Sequence, residues 1–484
     1  MAVVGAGLGG LAAAHRLVEL AAARHRPLDL VVVEATDRAG GVAGTELHAG
    51  TLVERGPDSL VTHKPAGLAL CRRLGLGERL VPLPAGRIDV LHRGRLVPVP
   101  AGFALLAPTR LAALAGSPLL GWRGKLRALA EPAVAPRGEG GDESVAAFVR
   151  RRFGSELLAR LVEPVVGAIY MADVEQLSLL ATFPRFAALE RERGSVLRGL
   201  RAARTGAPRL SPPAVVSLAG GFGRLVEALV AALPPGALAL GAAVERLARD
   251  GDSWTLRLAG GRALAADAVV LATPAHAAAG ILAGVDGELA RELAAIDYGS
   301  CATVHAAWPL SAVGQPPRGQ GFFVPAGEPG DVVAATFVHV KHAERVPAGW
   351  LVARVFAGGA LRPAAAHRRD EELVAAAQER LAPLLGLAAP PAWSRVVRHL
   401  DALPQLAVGH LSRVARVRER LAAQPGIALA GGPVGAYGVP DAVAEGEGAA
   451  ERIAEWLTAV AERRAPLSAT TAPATALPRP AIRA

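Results

Sequence analysis

The sequence predicts an α/β fold: a parallel sheet flanked by helices and assembled from discontinuous segments, an antiparallel sheet, and a helical insertion. Three observations predict it. A short apolar strand runs into a glycine-rich turn and a helix, a second and nearly unbroken apolar strand completes that unit, and strand, glycine turn and helix return near the C-terminus. A parallel strand buried on both faces reads as a continuous apolar run, which the second strand does. The chain of 484 residues has room for two or three packed units, since single cores stop growing at about 250–300 residues.

The elements follow in order. Ala2-Val3-Val4 is shorter than the usual strand of about 5–6 residues, so either a start further upstream or a clipped first strand is expected. A helix is expected over Leu8–Arg24, with Leu11, His15, Val18 and Ala22 near one face. Pro27 breaks it, and Leu28–Glu34 is the second strand of a right-handed βαβ unit. From about Arg87 to Pro213 come helical pieces, such as Ser144–Arg160 opened by a Ser144 cap, and apolar stretches punctuated by Pro and Gly, such as Ala101–Leu120. Arg201–Pro213 reads as a loop. Strands resume at Val244–Leu247, Trp254–Leu258 and Ala268–Ala272. The alternation in Thr303–Ala307 and Val352–Phe356 predicts an antiparallel sheet between Cys301 and Val355. Ile427 to about Glu462 is again strand, glycine turn and helix, the helix expected from Ala442 onward. The Pro-, Ala- and Thr-rich tail Ala465–Ala484 is expected to be disordered.

Composition excludes several classes of function. Only Cys71 and Cys301 are cysteine, far apart, which makes neither a zinc site nor a disulfide framework and suits a reducing cytosol. The formal charge of +10 is almost all arginine, with lysine only at positions 64, 125 and 341. A basic chain favours anionic partners. Nucleic acid is excluded as a partner, because the arginines are scattered and no basic stripe carries interleaved aromatics. The longest nearly uncharged stretch, Ala268–Gly284, contains Pro274 and His276 and reads as strand, loop and helix rather than a membrane span of about 20 apolar residues. A cytoplasmic protein is expected. A peripheral contact with the inner face of the cell membrane and a homodimer are both compatible with the sequence. No metal site is expected: His339-Val340-Lys341-His342 spaces two histidines without an acidic or cysteine partner and reads as a surface pair.

Gly5, Gly7 and Gly10 match G-x-G-x-x-G. The first permits a tight turn, the second lets backbone approach a pyrophosphate, and the third lets helix and strand pack closely. Glycine turns arise by chance, but this one follows a strand and opens a helix, and the next strand ends in Glu34, whose carboxylate can accept both ribose hydroxyls of an adenosine. The pair Gly40-Gly41, just after Arg38, lets the chain pass close to a bound diphosphate. An NAD domain has no need of it, so the combination points to FAD.

The run VVGAGLGGLAAAHRL, the acidic strand and DRAGG resemble the flavin amine oxidase superfamily. Three further stretches, VERGPDSLVTHKP (Val53–Pro65), RRFGSELLARLVEPVVGAIYMADVEQLSLLATFP (Arg151–Pro184) and ALPQLAVGHLSRV (Ala402–Val414), are similar to its oxygen-dependent protoporphyrinogen or coproporphyrinogen III oxidases of haem biosynthesis. The resemblance spans roughly Ala2 to Trp456. It implies a Rossmann-type FAD-binding domain from residues 1–86, 214–285 and 415–464, a helical insertion at 87–213, an antiparallel-sheet substrate-binding domain at 286–414, and a tail at 465–484.

By that resemblance Gly5, Ala6, Gly7, Leu8, Gly9 and Gly10 line the pyrophosphate, and Glu34 and Ala35 lie at the adenosine ribose. Arg38, Gly40, Gly41 and Thr45 lie beside the diphosphate and ribityl chain. Gly56, Pro57, Asp58 and Ser59 run near the isoalloxazine, and Val244 and Ala272 join from the second strand region. Gly432, Gly438, Val439 and Pro440 approach the flavin ahead of a helix whose positive end favours the anionic reduced ring. Arg87 is the candidate for a substrate propionate. Three positions depart from the family pattern: Val42 after the glycine pair, Ala436-Tyr437-Gly438-Val439 in the C-terminal turn, and Leu406 in place of an aromatic. The implied reaction takes a hydride from a porphyrinogen bridge carbon onto FAD, with dioxygen as the final acceptor, and needs no protein nucleophile. The rivals are another oxidoreductase of the superfamily and a non-catalytic FAD-binding protein. The stretch Phe103–Trp122 reads either as core or as a membrane-docking surface.

Overall fold

The computed structural model describes residues 1–138, 140–205, 214–432, 435 and 437–464. Residues 206–213 of the expected loop and the tail from Ala465 lie outside that set; residues 201–205, expected as loop, end a helix spanning Val196–Thr205.

A five-stranded parallel sheet forms the first layer, in the order Leu238–Ala239, Val31–Val33, Ala2–Val4, Val269–Leu271, Ile427–Leu429. The clipped first strand is therefore central, with three residues pairing on both sides and all three buried. The helix Leu8–Ala23 packs on one face, against Leu225, Leu229 and the C-terminal helix Val439–Arg464; Ile281, Leu289 and Leu293 cover the other. The N-terminal and C-terminal helices cross at glycine, where a Cβ on Gly446 would lie 2.1 Å from the Gly9 carbonyl oxygen. The second strand is shorter than the expected Leu28–Glu34, because residues 28–30 make no ladder pairs. The three-stranded antiparallel unit Val244–Asp250, Ser253–Leu258, Ala263–Ala266 connects the outer strand back to the middle of this sheet.

The second layer is a seven-stranded sheet, in the order Trp393–Pro404, Tyr298–Pro309, Trp350–Gly358, Val332–Phe337, Gly321–Phe323, Ile88–His92, Arg95–Pro98. The last two strands correct the expected boundary at residue 87. They form a hairpin through Arg93 and Gly94, both at positive φ, and pair parallel to Gly321–Phe323, so the helical insertion begins after Pro98. The boundary at 286 moves as well. The helix Gly287–Ala294 packs with Ala275–Leu282 on the parallel sheet, and the second layer starts at Tyr298.

Alternation sorts the seven strands. Val304, Ala306, Trp308, Leu351, Ala353 and Val355 point to one face and are sealed by Leu373, Ala377, Leu381 and Leu385 of the helix Asp370–Leu385. Cys301, Thr303, Arg354, Phe356 and His399 belong to the other face, toward the parallel layer.

The helical insertion has its own core. Ser144 caps Val145–Phe153, its Oγ accepting from the Ala147 N–H at 3.1 Å, and Gly154 at φ +95 ends that helix. The expected helix to Arg160 is thus broken at Gly154 and resumes through a π turn at Leu158–Val162 into Glu163–Tyr170. Leu106, Ala107, Leu114, Leu119 and Leu120 are buried here, so the stretch Phe103–Trp122 contributes to this core. It also has an exposed side, with Leu105 at 37% and Trp122 at 67% exposed, and Leu126 one turn beyond Trp122. No helix among the described residues is long and apolar enough to cross a membrane.

Candidate active site

The glycine turn is a backbone cradle. Gly5 sits at φ +98, where an added Cβ would lie 2.8 Å from the Ala272 carbonyl oxygen, and a Cβ on Gly10 would lie 1.9 Å from that of Gly5. These contacts let the N-terminus of the helix Leu8–Ala23 come down onto the sheet edge, where its free N–H groups favour an anion. Glu34 organises the turn: its Oε2 accepts the Ala6 N–H at 2.7 Å, and its Oε1 accepts the Thr36 N–H at 3.0 Å. The paired glycine closes the loop, Gly40 N–H donating to the Ala6 carbonyl at 2.7 Å and Gly41 at φ +59 passing close to Gly7. Arg38 ties this loop to itself through the carbonyls of Ala39, Gly41 and Ala43.

A cavity of about 680 Å³ opens from this turn to the floor of the second sheet. Of the expected site residues, Gly7, Leu8, Gly40, Gly56, Pro57, Asp58, Ser59, Ala272, Gly432, Gly438 and Val439 line it. Gly5, Ala6, Gly9, Gly10, Glu34, Arg38, Gly41 and Pro440 stand behind that lining, and Ala35 lies beside Glu34 on the exposed side. Val244 opens its strand close to the same place, since the Ala242 N–H donates to the Glu34 carbonyl at 2.7 Å.

Thr45, Arg87 and the pair at 339–342 make contacts that the sequence does not show. Thr45 is consumed by the framework: its hydroxyl donates to Glu54 at 2.8 Å and accepts the Gly223 N–H at 2.8 Å. Arg87 is outside the lining, and its Nε is tied to the buried Asp89 at 2.6 Å; its neighbour Ile88 is the residue that reaches the cavity. The surface pair at 339–342 is not at the surface. His342 is buried against Asp58 at 3.4 Å, and Lys341 lines the cavity and pairs with Asp58 at 2.8 Å. Lys341, His342 and Arg354 together hold the Asp58 carboxyl well below its ordinary range in spite of burial.

The C-terminal helix begins at Val439, three residues before the expected Ala442, so its N-terminus abuts the cavity. Lys64 secures it through Asp441 at 2.7 Å. Tyr298 Oη accepts the Ala275 N–H at 2.9 Å, and burial pushes its pKa up to about 12, so the hydroxyl stays neutral. Tyr170 stacks on Tyr437 with centroids 4.6 Å apart, and the Tyr437 hydroxyl donates to the Ile169 carbonyl at 2.9 Å. Met171 adopts the left-handed conformation that ends the preceding helix and joins Ala168 and Ile169 in one wall. Ala402, Leu403 and Pro404 form another. Tyr298, Thr303, Lys341, Arg354, Phe356 and His399 were missed from sequence.

Glycines that exclude any side chain, two helix N-termini and a long cavity fit a dinucleotide carrying a planar ring system. Residues 8–454 match the family described as flavin containing amine oxidoreductase, and the chain belongs to that family. Its cofactor is FAD. Coproporphyrinogen III oxidase of Propionibacterium freudenreichii subsp. freudenreichii is 34% identical, covering 94% of this chain and 90% of that one. The enzyme of the same name from Bacillus subtilis (strain 168) is 30% identical over 92% of this chain and 96% of its own. A crystal structure designated a protoporphyrinogen oxidase, from Exiguobacterium sp. 255-15, superposes with a TM-score of 0.83 at 31% identity over 94% and 98% of the two chains.

Proposed function

We propose that this protein oxidises a porphyrinogen, coproporphyrinogen III or protoporphyrinogen IX, to the porphyrin in haem biosynthesis, with dioxygen as the final electron acceptor. One observation carries the reading. The two sequence blocks that resemble porphyrinogen oxidases, Arg151–Pro184 and Ala402–Val414, meet at one cavity, lining it through Ala168, Ile169 and Met171 and through Ala402, Leu403 and Pro404. FAD, held by the glycine turn, Glu34, the Gly40-Gly41 loop and the N-terminus of Val439–Arg464, supplies the two-electron chemistry when bound.

The chain's own residues do the rest. Ile88, Phe323, Phe356 and Leu403 present apolar surface to a tetrapyrrole and exclude water. Tyr298 and Tyr437 hold their protons, so neither is a base. Lys341 is neutralised by Asp58 and orients the segment Gly56–Ser59. The domain roles we infer are an FAD-binding layer around the parallel sheet and a substrate-binding layer on the seven-stranded sheet. The setting we infer is cytoplasmic, with Trp122, Leu126, Arg123 and Lys125 on one short helix supporting a peripheral contact with anionic lipid.

The test mixes flavin-loaded protein anaerobically with each porphyrinogen and follows the flavin colour, then admits dioxygen and follows porphyrin fluorescence. Bleaching by a porphyrinogen and recovery with porphyrin formation is expected, with coproporphyrinogen III the faster substrate. A flavin that no porphyrinogen bleaches refutes the reading.

A further inference from the structure

The cavity floor carries a buried cation that makes no ion pair among the described residues, Asp58 and Glu54 acting on it only through space. Arg354 lies on the strand Trp350–Gly358, is 5% exposed and lines the cavity. The neighbouring carboxylates are already engaged: Glu54 by Arg345 at 2.8 Å, Asp58 by Lys341 at 2.8 Å, and Glu46 by Arg395 at 2.6 Å. Among the described residues the guanidinium makes one hydrogen bond, a long donation from Nη2 to the Arg55 carbonyl at 3.5 Å, and its buried Nε makes none. The Phe356 ring, 4.8 Å away, orients the group but brings no countercharge. Nearby groups do not ionise to balance it. Burial raises the Cys301 thiol to about 11 and moves the Tyr437 hydroxyl further from ionisation. His305 and His399 are held below their usual value by burial and bring no charge of either sign near neutral pH.

A second group shares the condition. Thr303 is the diagonal neighbour of Arg354 on the adjacent strand, lines the same cavity, and has a buried Oγ1 with no partner among the described residues. A buried cation and a buried hydroxyl are costly unless something in the site satisfies them. An arginine fork meets a carboxylate in two parallel hydrogen bonds, which fixes orientation as well as charge.

We propose that Arg354, with the Thr303 hydroxyl beside it, receives a carboxylate of the substrate and fixes which edge of the macrocycle enters the cavity. The assignment rests on the porphyrinogen reading above and makes Arg354, rather than Arg87, the specificity-determining residue for a propionate.

The test uses the FAD-loaded enzyme as wild type, Arg354→Met and Arg354→Lys. It measures bound flavin, thermal unfolding without substrate, and binding of coproporphyrin III and of its tetramethyl ester by fluorescence quenching. Arg354→Met is expected to keep its flavin, to unfold at the wild-type temperature or above, and to bind coproporphyrin III at least about 30-fold more weakly. Its affinity for the ester is expected to be unchanged, and Arg354→Lys is expected to recover part of the loss for the acid. Unchanged binding of the acid by Arg354→Met overturns the proposal. So does a folding defect, which makes the arginine structural, or loss of flavin, which makes the cofactor its anion. A wild-type protein that binds neither porphyrin refutes the porphyrinogen reading instead, and is recognised because the variant is not needed to see it.

Discussion

Replacing Gly10 by alanine separates the two demands made on the glycine turn. The new Cβ falls 1.9 Å from the Gly5 carbonyl oxygen and 3.1 Å from Ala272 Cβ, so helix and strand must part by more than about 1 Å to restore contact distance. Neither element is free to move. The Gly5 N–H donates to Val33 at 2.8 Å, the strand Ala2–Val4 is paired on both sides, and the helix is crossed by Val439–Arg464. Overpacking costs about 1–3 kcal/mol; a methyl driven into a fixed backbone carbonyl puts this case at about 3 kcal/mol. That corresponds to a fall in Tm of roughly 6–12 °C for a unit of this size. Gly7→Ala is the contrast. Its φ is −69°, the nearest atom to the new methyl is Gly41 Cα at 3.9 Å, and Gly7 lines the cavity. Flavin-free Gly7→Ala is therefore expected to melt with wild type and yet to hold FAD more weakly. Circular dichroism melts of flavin-free protein and FAD absorbance per chain after gel filtration read the two effects. Gly10→Ala with wild-type Tm and full flavin, or Gly7→Ala with the same loss of Tm as Gly10→Ala, refutes the reasoning.

Two further outcomes follow from the buried charges. His305 is held well below its ordinary pKa of 6.5 by burial, so the unfolded chain binds a proton that the native one refuses. Stability is then fully present above about pH 6.5 and falls on acidification, while Asp58, with its lowered carboxyl, acts only in the window below about 4. Urea denaturation at pH 7.5 and 5.5 is expected to show that fall, reduced by up to one proton of linkage in His305→Gln; an unchanged slope contradicts it. Arg345 is buried, donating to Glu54 at 2.8 Å, Ser217 Oγ at 2.7 Å and the Leu218 carbonyl at 3.1 Å. Arg345→Met is expected to cost about 3–5 kcal/mol by stranding Glu54, and adding Glu54→Gln is expected to return part of it. A double variant no more stable than the single one by urea denaturation removes the pairing from the explanation.

What the sequence made legible is what depends on neighbours in the chain. The glycine turn, Glu34 and the pair Gly40-Gly41 lie within one βαβ unit, and all of them fall at the cavity or directly behind it. The floor depends on sheet register instead. Alternation identifies Thr303–Ala307 and Val352–Phe356 as strands, but not which face looks toward the parallel layer. Thr303, Arg354 and His399 come from three strands whose alignment no local pattern states. Lys341 and His342 read as surface because the acid that holds them is far away in sequence: their partner Asp58 is brought from the first layer. Arg87 and Asp89 are two apart, the spacing that puts two side chains on one face of an extended chain, and they pair there.

The crossing of Gly9 with Gly446 fixes when the site can come into being. Strand Ile427–Leu429 and the helix Val439–Arg464 are the last described elements made by the ribosome, and the first helix and the cavity both need them. A nascent chain can form the opening βαβ unit early, yet the ceiling over that unit is delivered last. Such sequence-distant closure is slow and leaves the half-built sheet exposed to other chains. The cavity that would take FAD is therefore completed late, once the helix Val439–Arg464 has docked.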